Sequence, residues 1–267
     1  MGFATSWLEN KALFPQIFNE APDNQTGIIV VVPAFNEPGL LDLLDSLASC
    51  IQPECKVEVI IIINAPPDAG EDSILSNRRS VNDIESWKEK HRECFFRLLT
   101  FDAGSPEMAD WGAGMARKTG MDEALRRFST LDMPQGVIVS LDADCTVAQN
   151  YFNSICNELF RRKEHKGCSI YFEHPLSGDD FPEEIYSHII SYELHLRYYR
   201  RALKYSCFPY PFHTVGSAVA VKALNYLKAG GMNRRQAGED FYFIQKLLPQ
   251  GGYFTLNSTA VYPSPRI

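Results

Sequence analysis

The sequence predicts an α/β fold, a doubly wound sheet with helices over both faces, and two observations carry that prediction. Short apolar runs recur at residues 28–33 (IIVVVP), 57–63 (VEVIIII), 95–101 (FFRLLTF) and 136–141 (GVIVSL), and helical periodicity fills the segments between them. Prolines, glycines and polar residues gather just after the runs, which is where such a sheet binds its ligands.

The elements follow in order. Residues 1–27 read as an N-terminal arm. The first run is continuous and β-branched, as expected of a strand buried on both faces. Leu40, Leu43, Leu44 and Leu47 then fall at i, i+3, i+4 and i+7, one face of a helix. The second run is another buried strand, 80–92 a polar helix, and the third run a third strand. Met121, Ala124, Leu125 and Phe128 share one face of the helix after a Gly-rich stretch. The fourth strand leads into a helix buried through Phe152, Ile155, Cys156 and Leu159. Beyond residue 168 the rhythm changes to a strand (CSIYFEHP), an acidic loop and a long aromatic helix over 183–205. No Gly/Ser/Pro-rich linker interrupts the chain, so residues 28–267 read as one fused domain, with 28–148 and 149–267 as the two walls of a cleft.

Composition narrows the partners. The 267 residues hold 26 Lys+Arg against 33 Asp+Glu, a formal charge of −7 that argues against a general nucleic-acid binder. A phosphate-bearing ligand therefore needs a local cation. Cysteines at 50, 55, 94, 145, 156, 168 and 207 have neither CxxC pairing nor metal-type spacing and read as reduced thiols, which points to a cytoplasmic setting. The first residues lack the pattern of a signal peptide, and no apolar run approaches the ~18–20 residues of a membrane span, so only peripheral membrane docking is left open.

The strand ends carry the chemistry. The first stops at Pro33-Ala34-Phe35-Asn36-Glu37-Pro38, without the GxGxxG or GxxxxGK[ST] of the common phosphate loops. Glu37 stands there as an acceptor for ribose or base hydroxyls and amines, or the segment is a plain turn capped by Asn36. The second ends similarly, at Asn64-Ala65-Pro66-Pro67. After the third comes Asp110-Trp111-Gly112-Ala113-Gly114-Met115-Ala116-Arg117-Lys118-Thr119-Gly120, whose glycines let a ligand approach and whose Arg117 and Lys118 could meet a pyrophosphate, or stand solvated on a helix. After the fourth come Asp142-Ala143-Asp144. Residues two apart in an extended chain point the same way, so both carboxylates can face a cleft as hard donors for Mg²⁺ or Mn²⁺. Gly238-Glu239-Asp240 opens an apolar helix, its acids either stabilised by the helix dipole or poised as a general base. His213 reads as a packing or cleft-lining residue rather than a metal ligand. Tyr186, Tyr192, Tyr198, Tyr199, Tyr205, Tyr210 and Phe212 surround the basic stretch 197–204 and suit an acceptor site or a buried stripe.

In this order the motifs resemble the inverting glycosyltransferases of family 2, over about residues 28–248. PAFNE resembles the family's opening strand motif, the Gly112-x3-Ala116-Arg117-x2-Gly120 spacing its second donor motif, Asp142-Ala143-Asp144 its DxD and Glu239-Asp240 its ED. The resemblance implies a GT-A-type, Rossmann-like mixed sheet and a hexosyltransferase-type enzyme that moves a sugar from a nucleotide-diphosphate sugar to an acceptor hydroxyl with Mn²⁺ or Mg²⁺. It implies Asp240 as base beside Glu239, and Asp144 and Asp142 as metal ligands. Pro33, Phe35, Glu37, Asn64, Gly112, Arg117, Lys118 and Asp142 would line the donor nucleotide, and Gly216 and Ser217 the acceptor. The QxxRW of processive synthases is absent, which points to addition of one or few sugars. Two alternatives are a sugar-1-phosphate nucleotidyltransferase, which resembles a different, Gly-rich opening, and an inactive sugar-nucleotide binder, which would typically have lost DxD or ED.

Overall fold

The computed structural model describes residues 2–104, 112–233 and 238–266. Among them eight strands form one sheet: β1 (Thr26–Ala34), β2 (Lys56–Ile63), β3 (Phe96–Asp102), β4 (Val137–Ser140), β5 (Cys145–Val147), β6 (Gly167–Phe172), β7 (Val219–Lys222) and β8 (Tyr253–Pro263). Their order is β3-β2-β1-β4-β7-β6-β8-β5. The first four strands in that order are parallel, β7 runs antiparallel to both β4 and β6, β8 is parallel to β6, and β5 is antiparallel to β8. The sheet is therefore mixed, wound in parallel on the N-terminal side and extended by the C-terminal half.

Eight α-helices flank it: α1 (Thr5–Lys11), α2 (Leu40–Ala48), α3 (Glu71–Lys90), α4 (Ala113–Thr130), α5 (Tyr151–Ile155), α6 (Glu183–Tyr205), α7 (Ala223–Lys228) and α8 (Glu239–Leu247). The continuous apolar run of β1 has a simple cause. Ile28, Val30 and Val32 pack into one core with α2, α3 and α5, while Ile29 and Val31 pack into a second core with α1, α4, α7 and α8. Alternate residues thus serve opposite faces of one strand.

Several elements differ from the sequence expectation. Helix α3 starts at Glu71 rather than 80, because its inward stripe passes through Ile74, Asn77, Val81, Ile84 and Trp87 and the polar Asn77 breaks the apolar pattern. The helix after Asn150 gives way to a π-helical turn over Cys156–Phe160. Strands β5, β7 and β8 were not separable from loops by periodicity. The N-terminal arm is packed rather than trailing: Ala4, Leu8 and Phe18 enter the second core, and the Ala4 N–H donates to Ser129 Oγ at 2.9 Å.

Helix α4 lies unusually close to the sheet. A Cβ on Gly120 would fall 2.4 Å from Val31 Cγ1, so only glycine permits this approach. Below it, Arg127 donates from Nε and Nη2 to the two oxygens of Glu58 on β2, at 2.6 and 2.8 Å, and from Nη1 to the Glu20 carbonyl at 2.9 Å, with both charges buried. Removing one member strands the other. Glu58→Ala is expected to lower the unfolding free energy by about 3–5 kcal/mol in denaturant titrations; a loss below about 1 kcal/mol would mean the pair is solvated.

Candidate active site

The parallel strands end on one side of the sheet, and the chain between β4 and β5 crosses there. Strand β4 pairs in the middle of the sheet, whereas β5 pairs with β8 at the far edge, so residues 141–144 span the gap. Ala143 and Cys145 enter the core and Asp142 and Asp144 stay half-buried, but the segment is a turn rather than the expected extended chain: the Cys145 N–H donates to the Asp142 carbonyl at 3.2 Å.

Arg117 organises this region. From the second turn of α4 its guanidinium donates through Nη2 to Asp142 Oδ1 at 2.5 Å and through Nη1 to Glu239 Oε1. Gly216, in a 3-10 turn before β7, lies against it: a Cβ there would come within 3.1 Å of three guanidinium atoms. Burial alone would push Arg117 down, but the carboxylates of Asp142 and Glu239, with the charge of Asp240, outweigh it and hold the group above its ordinary value. Its Nε has no hydrogen-bond partner among the described residues. The sequence expectation of a pyrophosphate ligand is thus corrected in part: the Arg117 side chain is spent on carboxylates.

Lys118 is turned away from the cleft altogether. It is buried, paired with Asp122 at 2.7 Å, and sits 5.2 Å from the centre of the Trp7 ring. Asp122 in turn accepts from Tyr226 Oη at 2.6 Å. This corrects its expected place at the donor, and the reason is geometric: Lys118 continues the buried stripe of Met121 and Leu125.

The other expected residues divide. Glu37 is buried at the cleft, accepts from the Gly39 N–H at 2.9 Å, and is gripped by Arg266 through two contacts, one at 2.9 Å. Arg266 also lies 3.4 Å from Asp144. Asn64 is buried with its Oδ1 unpartnered among the described residues. Its carbonyl accepts from Asn77 Nδ2, and Asn77 Oδ1 accepts from the Asn36 N–H, both at 2.8 Å, so α3 ties together the ends of β1 and β2. Phe35 is exposed beside this bridge, whereas Pro33 is buried in the ladder opposite Ile62 and presents no side chain to the cleft. Gly112 caps α4; Asp110 and Trp111 lie outside the described residues. Ser217 is buried and lines the cleft beside Asp142. Gly238, at φ +68°, makes the left-handed turn that starts α8, and Asp240 is half-buried with Oδ1 accepting from the Phe241 N–H at 2.7 Å.

Two cavities meet at Arg266. One of about 510 Å³ runs along Glu37, Asp144, Phe181 and Tyr262. The other, about 450 Å³, is enclosed by Asp142, Asp144, Ser217, His174, His188 and Tyr192. Burial first, then the charges of Glu193 and Asp240, push the Tyr192 phenol up; Asp240 itself does not line this cavity. Of the expected aromatic acceptor cluster only Tyr192 lines it. Tyr186 is buried, Tyr210 and Phe212 pack on the second core, and Tyr198, Tyr199 and Tyr205 point to solvent.

Sequence reasoning missed His174, Glu193 and Arg266. His174 Nδ1 meets Glu193 Oε1 at 2.7 Å, and the His174 N–H donates to the same oxygen at 3.0 Å. A carboxylate only accepts, so Nδ1 carries the proton and Glu193 fixes the orientation of the ring. Burial raises Glu193, but the His174 bonds and the charge of Arg197 at 2.7 Å outweigh it and hold the carboxyl below its usual range. The signal was available: His174 ends a strand, as the other site residues do, and Glu193 is the last acid before a long basic stretch. His213 is half-buried, and burial with nearby Arg200 and Arg197 pushes it down to about 4, as suits a packing residue.

The donor set fits a divalent cation that brings phosphate oxygens with it. Burial, then the charge of Asp142, raises the Asp144 carboxyl, the signature of two carboxylates crowded at one place. Among the described residues no three His, Cys, Asp or Glu side chains converge, so the protein alone supplies an incomplete shell.

Comparison with known proteins bears on the fold. Residues 137–265, a little under half of the chain, match the family model described as Glycosyl transferase family group 2. The solved structures share its fold, a mixed sheet flanked by helices of the GT-A type. Among solved structures the chain is similar to S. aureus TarS 1-349 in complex with UDP-GlcNAc (15% identity, 90% of this chain and 59% of that chain, TM-score 0.58). It is also similar to the mannosyltransferase PcManGT from Pyrobaculum calidifontis in complex with GDP-Man and Mn²⁺ (17% identity, 97% and 61%, TM-score 0.53). The chain thus spans about 60% of the length of these proteins. No curated protein matches it in sequence. Among the described residues no helix is long and apolar enough to cross a membrane.

Arg117→Lys keeps the charge but cannot fork between two carboxylates. It is expected to cost about 2 kcal/mol or more of stability by thermal unfolding, because one buried carboxylate loses its partner. An unchanged unfolding midpoint would contradict the bridging role.

Proposed function

We propose that the protein transfers a sugar from a nucleotide-diphosphate sugar to an acceptor hydroxyl, with inversion and without processivity. The single observation that carries this reading is the gathering of Asp142, Glu239 and Asp240 around one guanidinium at the mouth of the sheet. Residues 28–148 then form the donor half and 149–267 the acceptor half.

Phe35, Glu37 and Asn64 line the nucleoside. The unpartnered Asn64 Oδ1 and the acidic Glu37 are acceptors suited to base N–H and ribose hydroxyl groups. Asp142 and Asp144 hold Mn²⁺ or Mg²⁺ with the donor's phosphates, and that cation, when bound, neutralises the charge developing on the diphosphate leaving group. Arg266, half-exposed and paired with Glu37 and Asp144, is the cation beside the carboxylates that would hold the metal. Arg117 stays beneath, fixing Asp142 for the donor and Glu239 for the acceptor side.

Asp240 removes the acceptor proton as the hydroxyl attacks the anomeric carbon opposite the diphosphate. Single displacement inverts that carbon. The turn at Gly238 fixes Asp240 at the start of α8, and orientation supplies most of the effect. The acceptor enters the cavity beside α6, where Tyr192 and His188 border it, Ser217 lines its floor, and the oriented His174 ring offers Nε2 to a second hydroxyl.

Asp240→Asn keeps shape and hydrogen bonding, so turnover is expected to fall roughly a hundredfold or more while donor affinity stays within about twofold. Retention of turnover, or loss of donor binding instead, would make Asp240 structural. For the metal, Asp144→Ala should abolish the Mn²⁺-dependent part of UDP and GDP binding in calorimetry and leave the melting temperature in place. Equal affinity of the wild type with and without Mn²⁺ would refute the metal site.

A further inference from the structure

The C-terminal half of α6 has a surface that the catalytic reading does not use. From Leu194 onward the helix keeps one stripe, Leu196, Arg200 and Leu203, against the protein and turns the rest outward: Leu194 is 68% exposed, Tyr198 70%, Tyr199 57% and Tyr205 93%, and Phe208 in the turn beyond is exposed as well. Ile190, Leu194, Tyr198, Arg201 and Tyr205 follow one another at three- and four-residue steps along one line of the helix. Tyr199 and His195, stacked at 6.4 Å, stand on the next.

Charge is segregated in the same place. Between Glu193 and Glu239 the sequence contains no Asp or Glu, although the chain as a whole carries −7. Arg197 and Arg200 are engaged, the first with Glu193 and the second with the Pro211 carbonyl at 3.0 Å and Thr255 Oγ1 at 3.2 Å. Arg201 and Lys204 are exposed among the tyrosines.

We propose that this end of α6 docks on the surface of an anionic lipid bilayer. Tyrosines with interspersed Arg and Lys are the composition of an interfacial helix: the rings enter the headgroup layer with their hydroxyls wet, and the cations meet the lipid phosphates. The shape favours lipid over a protein partner. Exposed positions 190, 191, 192, 194, 195, 198, 199, 201, 202, 204 and 205 occupy most of the helix circumference, and a fluid layer meets all of such a surface, whereas a protein face covers one side of it. Because His188 and Tyr192 of the same helix line the 450 Å³ cavity, docking holds the mouth of that cavity at the lipid surface.

The test is co-sedimentation of the full chain with phosphatidylcholine vesicles, with and without phosphatidylglycerol, at low and physiological salt. It needs no sugar transfer, so its failure is separable from failure of the proposed reaction. Binding is expected only to the anionic vesicles and should weaken with salt. The double charge reversal Arg201→Glu with Lys204→Glu should weaken it more than about tenfold, and Tyr198→Ser with Tyr205→Ser should also weaken it, with unchanged melting temperatures because all four side chains are exposed. The proposal is overturned if the wild type ignores anionic vesicles at low salt or if both double variants bind as the wild type does. It is equally overturned if sedimentation velocity without lipid shows a dimer that the tyrosine variant loses, which would assign the face to a second copy.

Discussion

The Arg117 guanidinium, buried between Asp142 and Glu239, is the interaction on which the site depends. Those carboxylates come from opposite halves of the chain, one at the end of β4 and one at the start of α8. Without a cation between them they would repel one another and draw in water. A lysine could satisfy one of them. The planar fork of arginine satisfies both, and Gly216 leaves the flat space in which it lies. The close approach of α4 to the sheet at Gly120 sets how deep the guanidinium sits.

Around that centre the charges are arranged as alternating layers. Glu37, Asp142, Asp144, Glu239 and Asp240 form an acidic rim, with Arg117 beneath it and Arg266 across it. The rim has more carboxylates than cations, which makes it hostile to a bare diphosphate and receptive to one accompanied by a divalent ion. Orientation on the other wall comes from a different carboxylate, Glu193, which fixes the His174 ring and is itself held by Arg197. Both walls thus use a buried acid–base contact to aim a group into the cleft.

The central strands were legible in the sequence because burial on both faces leaves no polar residue to confuse the pattern. The place of Asp142 and Asp144 at a strand end was legible because the strand before them is unambiguous. The far edge was not: β8 mixes Asn257, Ser258 and Thr259 with apolar residues, and β5 has three residues, too few for any period. Lys118 was misplaced by reading a basic residue near a helix start as free to meet a pyrophosphate, although its spacing from Met121 and Leu125 puts it on the buried stripe and Asp122, four residues on, is its counter-ion. The Arg117 bridge could not be read locally, since its partners lie 25 and 122 residues away and only the sheet order brings them together. Asn77 was hidden for a related reason: a polar residue in an inward stripe looks like the end of a helix until its two backbone partners are known.

The most direct measurement is a double-mutant cycle in unfolding free energy, pairing Arg117→Met with Asp142→Asn and, separately, with Glu239→Gln. If the guanidinium joins the two motifs, each pair is coupled by about 1–3 kcal/mol, so the double variant is more stable than the sum of its singles requires. Additivity within about 0.5 kcal/mol for both pairs would contradict the bridge, and with it the physical basis for treating residues 142 and 239–240 as one site.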